Sequence, residues 1–147
     1  EADYVKAAVE KLGRVEMWKV AMKPGKPLVY GRVNDADFIG LPGNPVSAFV
    51  TFCLFVRPFL LKRIGAADVL YRAFAVQSDF AWSKPGARRE FLRAQLQPNG
   101  RLALFPNQSS GVLTSCAWAD GLVDLGIDQT IQRGEWVRFI PFSELLS

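Results

Sequence analysis

The 147-residue chain contains no histidine. This absence excludes imidazole as a general base, as an activator of a nucleophile and as a metal ligand. Cysteine is also scarce, with only Cys53 and Cys116, and both lie among apolar or small residues. Isolated cysteines in such surroundings are typical of reduced, buried thiols, which we expect here; a disulfide between them is the alternative.

Long blocks of like charge are absent as well, since no run of five or six basic or acidic residues occurs. The chain carries 18 Lys and Arg against 14 Asp and Glu, a net charge of +4. This small excess suits an anionic ligand and is too scattered to indicate nucleic acid. The longest apolar run, residues 46–61, is short of the ~20 residues that span a membrane, and Arg57 and Pro58 interrupt it. We therefore expect a buried helix and no membrane partner.

Half of the residues are hydrophobic (50%), which indicates a folded core. The first part of the chain predicts a helix, a strand, a hairpin and a second helix, at residues 3–12, 15–22, 27–41 and 45–64. The second helix is apolar nearly all round, so we expect it to be buried on most sides. Pro58 should kink this helix, because proline cannot donate to the carbonyl of Leu54. Gly65 should end it.

Beyond residue 67 the pattern changes to short alternating runs separated by turn signals such as Pro98-Asn99-Gly100. This pattern is typical of a small all-β barrel or sandwich. The predicted fold class is therefore α/β followed by all-β, with domains at residues 1–66 and 67–147. The helices of the first unit are too apolar for the residues present to cover. For this reason, and because the chain begins directly on a helix without Met, we expect it to belong to a longer protein or to pack against another chain.

The stretch "GLPGNPVSAF" joins a predicted strand to the second helix. Asn44 is well suited to cap the helix N-terminus, and Pro45 suits the first helical position. Pro42 restrains the loop, and Gly43 lets its backbone approach a ligand. A rigid loop before a helix presents free N–H groups and partial positive charge, to which Ser47 adds a hydroxyl. This arrangement predicts an anion site; a well-capped structural joint is the alternative.

A group of lysines precedes this loop in "WKVAMKPGKP". Lys19 and Lys23 are four residues apart in a predicted strand and should share one face. Lys26 follows on a turn braced by Pro27 and its neighbours. Three ammonium groups near one strand end would repel one another without an anion between them. A solvated lysine face is the alternative.

A third cluster lies in the predicted β unit and contains Arg88, Arg89, Arg93, Ser109 and Ser110. It is weak evidence by itself, because arginines of a small barrel usually lie on the surface.

Taken together, "DYVKAAVEKLG", "WKVAMKPGKP", "GLPGNPVSA" and "REFLR" resemble the molybdenum insertases of the MoeA family, which also includes the E domain of gephyrin. The pairing of "KPGKP" with "LPGNPVSA" is the most specific part of a resemblance that runs the length of the chain. It implies that residues 1–66 form the C-terminal part of the α/β domain shared with molybdopterin adenylyltransferases, and that residues 67–147 form a C-terminal β-barrel domain. Whole members carry further N-terminal domains, so the chain resembles a C-terminal fragment.

The resemblance implies a transferase of molybdenum cofactor biosynthesis, a molybdopterin molybdotransferase. Members of the family insert molybdate into adenylylated molybdopterin, with Mg²⁺ or another divalent cation, and release AMP. They are cytoplasmic homodimers, and molybdopterin adenylyltransferase is an implied partner. The fragment alone is expected to be inactive in the full reaction. A non-catalytic dimerisation or partner-binding scaffold of the gephyrin E type is the alternative function.

The family's site residues carry over to positions of this chain that match its motifs. The implied catalytic residues are Asp3, Lys19 and Lys23, with Asp3 also the implied metal ligand and the lysines near the substrate phosphates. The implied molybdate pocket comprises Lys26, Pro27, Ser47, Arg88 and Ser110. The implied substrate loop comprises Pro42, Gly43, Asn44 and Pro45. Asn107 stands where the family often has His, which puts a minor contact in doubt.

Overall fold

The computed structural model describes residues 11, 13–18, 22–24, 28–109 and 112–146. The first part of the chain forms a three-stranded antiparallel sheet in the order β1-β3-β4. Its strands are β1 (Gly13–Trp18), β3 (Leu28–Val33) and β4 (Ala36–Gly40), and β2 (Met22–Lys23) belongs to a second sheet. The helix predicted at residues 3–12 lies outside the described residues, apart from residue 11, which is helical.

The predicted hairpin is confirmed by β3 and β4, which pair in antiparallel register. Asn34 and Asp35 form its turn with positive φ angles of 49° and 67°. Asn and Asp tolerate this left-handed region, which two-residue hairpin turns require. Asp37 then ties the hairpin to the end of the following helix. Its carboxylate accepts a hydrogen bond from the Tyr30 hydroxyl at 2.6 Å and pairs with the Arg63 guanidinium at 2.5 Å.

The prediction of one strand over residues 15–22 is wrong. β1 ends at Trp18 in the three-stranded sheet, whereas Met22 and Lys23 pair with the second sheet. An alternating pattern cannot show where a chain passes from one sheet to another, because both parts keep the same period. Lys23 thus belongs to the second sheet, and Lys19, predicted to share a strand face with it, lies outside the described residues.

The predicted helix over residues 45–64 is confirmed, with a change of helix type inside it. Its parts are α1 (Pro45–Thr51), a π-helical turn (Phe52–Val56) and α2 (Arg57–Arg63). In the π-helical turn the Arg57 N–H donates to the carbonyl of Phe52. This turn directly precedes the Arg57-Pro58 pair, where proline cannot donate a backbone hydrogen bond; the kink at Pro58 stays a prediction. Gly65, with φ +86°, ends the helix as predicted.

Burial on most sides is confirmed only for the first half of this helix. Val46, Val50 and Cys53 are wholly buried, whereas α2 contains no buried residue. Ile64, directly after α2, is 79% exposed. By length and composition the helix over residues 45–63 is long and apolar enough to cross a membrane, a test that core helices also pass. Its first half packs in the protein core.

The second sheet has six strands in the order β2-β6-β8-β9-β5, with β7 paired to β6. The strands predicted after residue 67 are confirmed as β5 (Phe74–Gln77), β6 (Arg89–Leu96), β7 (Leu102–Leu104), β8 (Gly121–Leu125) and β9 (Trp136–Pro141). Only β2 pairs in parallel; the other pairs are antiparallel. The sequence did not predict two short helices, α3 (Thr114–Trp118) and α4 (Phe142–Leu146), because five residues carry little periodicity.

Apolar side chains cover both faces of the second sheet. One core cluster joins the long helix to the sheet and includes Met22, Val46, Val50, Phe91, Leu122 and Ile140. The other fills the opposite face and includes Leu92, Leu102, Val123, Leu125 and Phe139. Neighbouring residues of a strand point to opposite faces, which explains why Leu122 and Val123 enter different clusters. As a result β8 is buried over its whole length.

Both cysteines are free, as expected, so the disulfide alternative is wrong; the predicted burial is confirmed for Cys53, whereas Cys116 is half-buried. Cys53, in the π-helical turn of the long helix, belongs to the cluster that joins this helix to the sheet, and Cys116 packs against that cluster. Burial, followed by the nearby Cys116, raises the pKa of Cys53 to about 11. Cys53 is therefore a protonated, inert thiol at neutral pH.

The predicted closure into a barrel is not confirmed. Over the described ranges the ladder runs from β2 to β5, and no continuous ladder joins these two ends. A single-residue bridge links Ser78, just after β5, to Leu102 of β7, and the Asp79 N–H donates to the Leu102 carbonyl at 2.8 Å. The architecture is thus a mixed sheet packed on a helix, plus a small antiparallel sheet. The domain boundary near residue 67 stays a prediction.

Candidate functional site

The lysine-containing turn and the arginine-containing strand are adjacent. Met22 lies opposite Arg89 and Lys23 opposite Glu90 in the parallel pair of β2 and β6. Arg88 directly precedes this ladder, so its Cα lies roughly 8 Å from that of Lys23, given a strand spacing of about 4.8 Å and a rise of about 3.3 Å. Lys23 is exposed and Arg88 is half-buried. Two cationic residues that are distant in sequence therefore meet at one edge of the sheet.

The N-terminus of the long helix is capped as predicted. The Asn44 Oδ1 accepts hydrogen bonds from the N–H groups of Val46 at 3.0 Å and Ser47 at 3.4 Å. Pro45 occupies the first turn and has no N–H, and the Ala48 N–H donates to the Asn44 carbonyl at 2.8 Å. The prediction that this helix presents free N–H groups is therefore wrong, because the cap itself uses them. What remains for an anion is the partial positive charge of the helix end.

Shared packing positions the capped helix relative to the lysine turn. Met22, Val46 and Phe91 belong to the same core cluster. These three residues lie within three positions of Lys23, Ser47 and Arg88, respectively. The burial of three apolar side chains therefore brings three sequence-distant motifs to one region of the molecule.

Some of the other predicted site residues lie within the described ranges, and five do not. Ser47 is only 6% exposed, so its hydroxyl could contact an anion only from the base of a pocket. Gly43 has open space around the position that a Cβ would take, with no atom of the described residues within 4 Å. The approach of the Gly43 backbone to a ligand stays a prediction. The predicted residues outside the described ranges are Asp3, Lys19, Lys26, Pro27 and Ser110.

Sequence reasoning missed an ion-pair cluster next to Arg88. The Asp124 carboxylate, whose side chain is 5% exposed, accepts two hydrogen bonds from the Arg89 guanidinium and one from Arg138 Nε at 3.2 Å. The hydrogen bond to Asp124 raises the pKa of Arg89. Two guanidinium groups against one carboxylate leave excess positive charge at this end of the sheet. The signal in the sequence is Asp124 itself, a lone charge in the apolar strand "GLVDL".

Arg93 is completely buried, at 0% exposure, so the expectation that the arginines of this unit lie on the surface is wrong for it. Its guanidinium donates to the carbonyls of Phe91 at 2.8 Å and Gln108 at 2.5 Å, and to the Ser115 hydroxyl at 3.2 Å. Burial lowers the pKa of Arg93, although a guanidinium stays protonated. The alternation in "REFLR" is the signal for this burial, because it places residue 93 on the same strand face as buried Phe91.

The described part of the chain holds no group of three or more His, Cys, Asp or Glu side chains placed to bind a metal ion. The predicted cation ligand, Asp3, lies outside the described ranges. The residues that the structure describes therefore do not by themselves fit a divalent cation.

Two family models match the chain. A probable molybdopterin binding domain matches residues 1–62, and the MoeA C-terminal region (domain IV) matches residues 75–142. Molybdopterin molybdenumtransferase from Haemophilus influenzae is 55% identical over 152 residues, which cover 99% of this chain and 38% of that protein. Molybdenum cofactor synthesis protein cinnamon from Drosophila melanogaster is 37% identical over 133 residues, which cover 85% of this chain and 22% of that protein.

Solved structures show the same relationship. The molybdopterin biosynthesis MoeA protein of Pyrococcus horikoshii matches with a TM-score of 0.78 and 30% identity, over 96% of this chain and 35% of that one. A molybdenum cofactor biosynthesis protein of Pyrococcus furiosus, with a TM-score of 0.72 and 21% identity over 96% of this chain and 55% of that one, supports the fold. The chain belongs to the MoeA family of molybdopterin molybdenumtransferases, and it spans about 38% of the length of the Haemophilus influenzae relative.

Proposed function

We propose that the chain is the anion-binding, C-terminal portion of a molybdopterin molybdenumtransferase that acts in molybdenum cofactor biosynthesis. In the proposed reaction the whole enzyme inserts molybdate into adenylylated molybdopterin and releases AMP. The observation that carries the proposal is the pairing of β2 with β6, which brings Lys23 and Arg88 to one sheet edge from two segments matched by different family models. A relative that is 55% identical bears the name molybdopterin molybdenumtransferase, which supports this assignment.

Molybdate is a small tetrahedral dianion, so charge-assisted hydrogen bonds can replace its water shell. In the proposed pocket Arg88 supplies a planar fork of donors, Lys26 a point charge, and Ser110 a hydroxyl, with Pro27 beside them. Ser47 contributes its hydroxyl from the base of the pocket, the place that suits its burial. The stiff loop that shapes the pocket comprises Pro42, Gly43, Asn44 and Pro45.

The phosphates of the second substrate are assigned to Lys19 and Lys23. Lys23 is exposed beside the sheet edge, so its ammonium group is accessible to a bound phosphate. The chain offers no imidazole, and its side chains are proposed to act mainly by positioning and charge neutralisation. Asp3 is the proposed residue for a divalent cation such as Mg²⁺, and we assign no step of the reaction to that cation.

The architecture of the parent domains is also part of the proposal. Residues 1–66 close the molybdopterin-binding α/β domain, and residues 67–147 form a small β-barrel domain. Two features support the barrel: the bridge between Ser78 and Leu102, and a core cluster filled by side chains of β6, β7, β8 and β9. A cytoplasmic homodimer that receives its substrate from molybdopterin adenylyltransferase is proposed from family membership alone.

Calorimetric titration of the chain with molybdate tests the proposed anion site. We expect wild type to bind, and Arg88→Ala to bind about tenfold or more weakly, because a charge-assisted hydrogen bond of about 1.5–3 kcal/mol is lost. Arg101→Ala, which removes a basic side chain from the turn before β7, is the matched control and should bind like wild type. Equal affinities for wild type and Arg88→Ala would remove Arg88 from the site. Failure of wild type to bind molybdate would contradict anion binding by this chain.

A non-catalytic scaffold of the gephyrin E type is the second candidate, and the exposed apolar side of α2 favours it. Leu60 and Ile64 are exposed and, with Leu61 and Ala36, line a surface groove. Gephyrin from Dictyostelium discoideum is 41% identical over 79 residues, which cover 43% of this chain and 11% of that protein. Gel filtration with light scattering discriminates between the two functions, since a dimer without molybdate affinity favours the scaffold. Ile64→Asp should then weaken the dimer, whereas Ile127→Asp, at another exposed apolar residue, should not.

A further inference from the structure

Arg93 carries a positive charge into the protein interior. None of the hydrogen bonds and ion pairs of the described residues joins its guanidinium to a carboxylate; its side-chain partners are two carbonyls and one hydroxyl. Glu90 and Cys116 are the titratable groups close enough to influence it. Burying a charge without a partner of opposite charge is costly, so such a residue needs several well-placed acceptors. The positions of those acceptors in the chain indicate the structural role of Arg93.

The guanidinium of Arg93 holds both ends of one loop. Its Nη2 donates to the Gln108 carbonyl at 2.5 Å, near the start of the loop that follows β7. Its Nε donates to the Ser115 hydroxyl at 3.2 Å, and that hydroxyl donates to the Val112 carbonyl at 2.7 Å. Ser115 is itself completely buried. The rigid guanidinium of one side chain therefore connects Gln108 with Ser115 and, through the Ser115 hydroxyl, with Val112.

The backbone of Arg93 forms a second set of contacts with the same loop. The Arg93 N–H donates to Gln108 Oε1 at 2.9 Å, and Gln108 Nε2 donates back to the Arg93 carbonyl at 3.0 Å. Gln108 Nε2 also donates to the Phe105 carbonyl at 2.8 Å, and the Phe105 N–H donates to the Arg93 carbonyl at 3.1 Å. Beyond the end of β7, the side-chain amide of Gln108 thus forms the two hydrogen bonds with the backbone of β6 that an adjacent strand would form.

The chain is held in this way up to the residue before Ser110. Asn107 Oδ1 accepts a hydrogen bond from the Ser109 N–H at 2.9 Å, which forms a local turn directly after Gln108. We propose that Arg93 and Gln108 are positioning residues, which hold the described parts of this loop, residues 105–109 and 112–115, in the position from which the loop contacts the bound anion. This inference rests on the proposed function for the identity of the anion, while the holding of the loop rests on the contacts alone.

Arg93→Lys and Gln108→Ala test the inference in two independent measurements. Arg93→Lys keeps the positive charge and loses the planar array of guanidinium donors. Gln108→Ala leaves the guanidinium in place and removes the hydrogen bonds of the Gln108 side-chain amide. Hydrogen exchange of the segment 105–112, measured well below the melting temperature, should speed up about tenfold in each variant, with the exchange of β8 nearly unchanged. The melting temperature should fall in Arg93→Lys, because a buried ammonium group cannot reach all the acceptors of the guanidinium. Molybdate affinity should fall about tenfold in both. Arg101→Lys, the matched control, should change neither quantity.

Each outcome decides one part of the inference. Unchanged exchange of residues 105–112 in both variants would overturn the holding of the loop. Faster exchange with unchanged molybdate affinity would overturn the role towards the anion. If wild type does not bind molybdate, the proposed function fails, and the exchange data alone decide whether Arg93 positions the loop. If Arg93→Lys does not fold, Gln108→Ala decides by the same two measurements.

Discussion

Met22 and Arg89 face each other across adjacent parallel strands, although they belong to segments matched by two different family models. The two-residue strand β2 thus completes a sheet that is otherwise built from residues after 73. This pairing places the residues around Lys23 next to those around Arg88. The candidate site therefore lies where the two segments join, and its geometry depends on the packing of that junction.

Met22→Ala should destabilise the protein by about 2–5 kcal/mol, because it removes a nearly completely buried side chain from the cluster shared by the helix and the sheet. Urea unfolding followed by circular dichroism measures this difference. The matched control is Lys23→Ala, which alters the exposed neighbour and should change the free energy of unfolding by less than about 0.5 kcal/mol. Equal stabilities of the two variants would contradict the role of Met22 in the junction.

Asn44→Ala should lower the free energy of unfolding by about 1 kcal/mol, since the Asn44 side chain accepts two N–H groups of the first helical turn. Asn44→Ser should keep most of this stability, because serine can accept the same hydrogen bonds. Thermal unfolding of the three proteins provides the comparison. A serine variant as unstable as the alanine variant would show that the cap is not the source of the loss.

Asp124→Asn should destabilise the protein by about 2–3 kcal/mol, because the neutral amide weakens contacts to two guanidinium groups from a buried position. The control is Asp128→Asn, at an exposed turn residue with φ 59°, where asparagine is equally well tolerated. Chemical unfolding at neutral pH measures both variants. If Asp124→Asn lowers the free energy of unfolding no more than Asp128→Asn does, the ion-pair cluster around Asp124 does not stabilise the protein as proposed.

Stability should fall as the pH drops through the range in which Asp37 and Glu144 titrate. The hydrogen bond from Tyr30 is the largest cause that lowers the pKa of Asp37, and the hydrogen bond from Arg72 is the largest for Glu144. Because both pKa values are lower in the folded state, the unfolded chain binds more protons in acid, and their stabilisation is lost below about pH 4. Unfolding free energies from pH 7 to pH 3 should show a shallower fall for Asp37→Asn than for wild type. If the unfolding free energy of Asp37→Asn falls with pH as steeply as that of wild type, Asp37 does not contribute to the pH dependence of stability.

Those features of the fold that depend on neighbouring residues could be predicted from the sequence. The Asn44-Pro45 helix start, the Asn34-Asp35 turn, the Gly65 helix end and the alternating strands after residue 73 all follow from local backbone preferences and side-chain periodicity. The π-helical turn and the exposure of α2 could not be predicted. Both depend on which residues pack around the helix, and the composition of the helix does not specify those neighbours.

By itself, the sequence determined which chemistry is available: no imidazole, two isolated thiols, and cations in braced turns and strand ends. Only the tertiary structure decided which of these groups meet. It split the predicted strand between two sheets, set Lys23 beside the start of β6, used the helix N–H groups in the Asn44 cap, and buried Arg93 against Gln108 and Ser115. The physical reason is that pairing and burial join residues far apart in the chain, whereas propensity and periodicity extend over only a few neighbours.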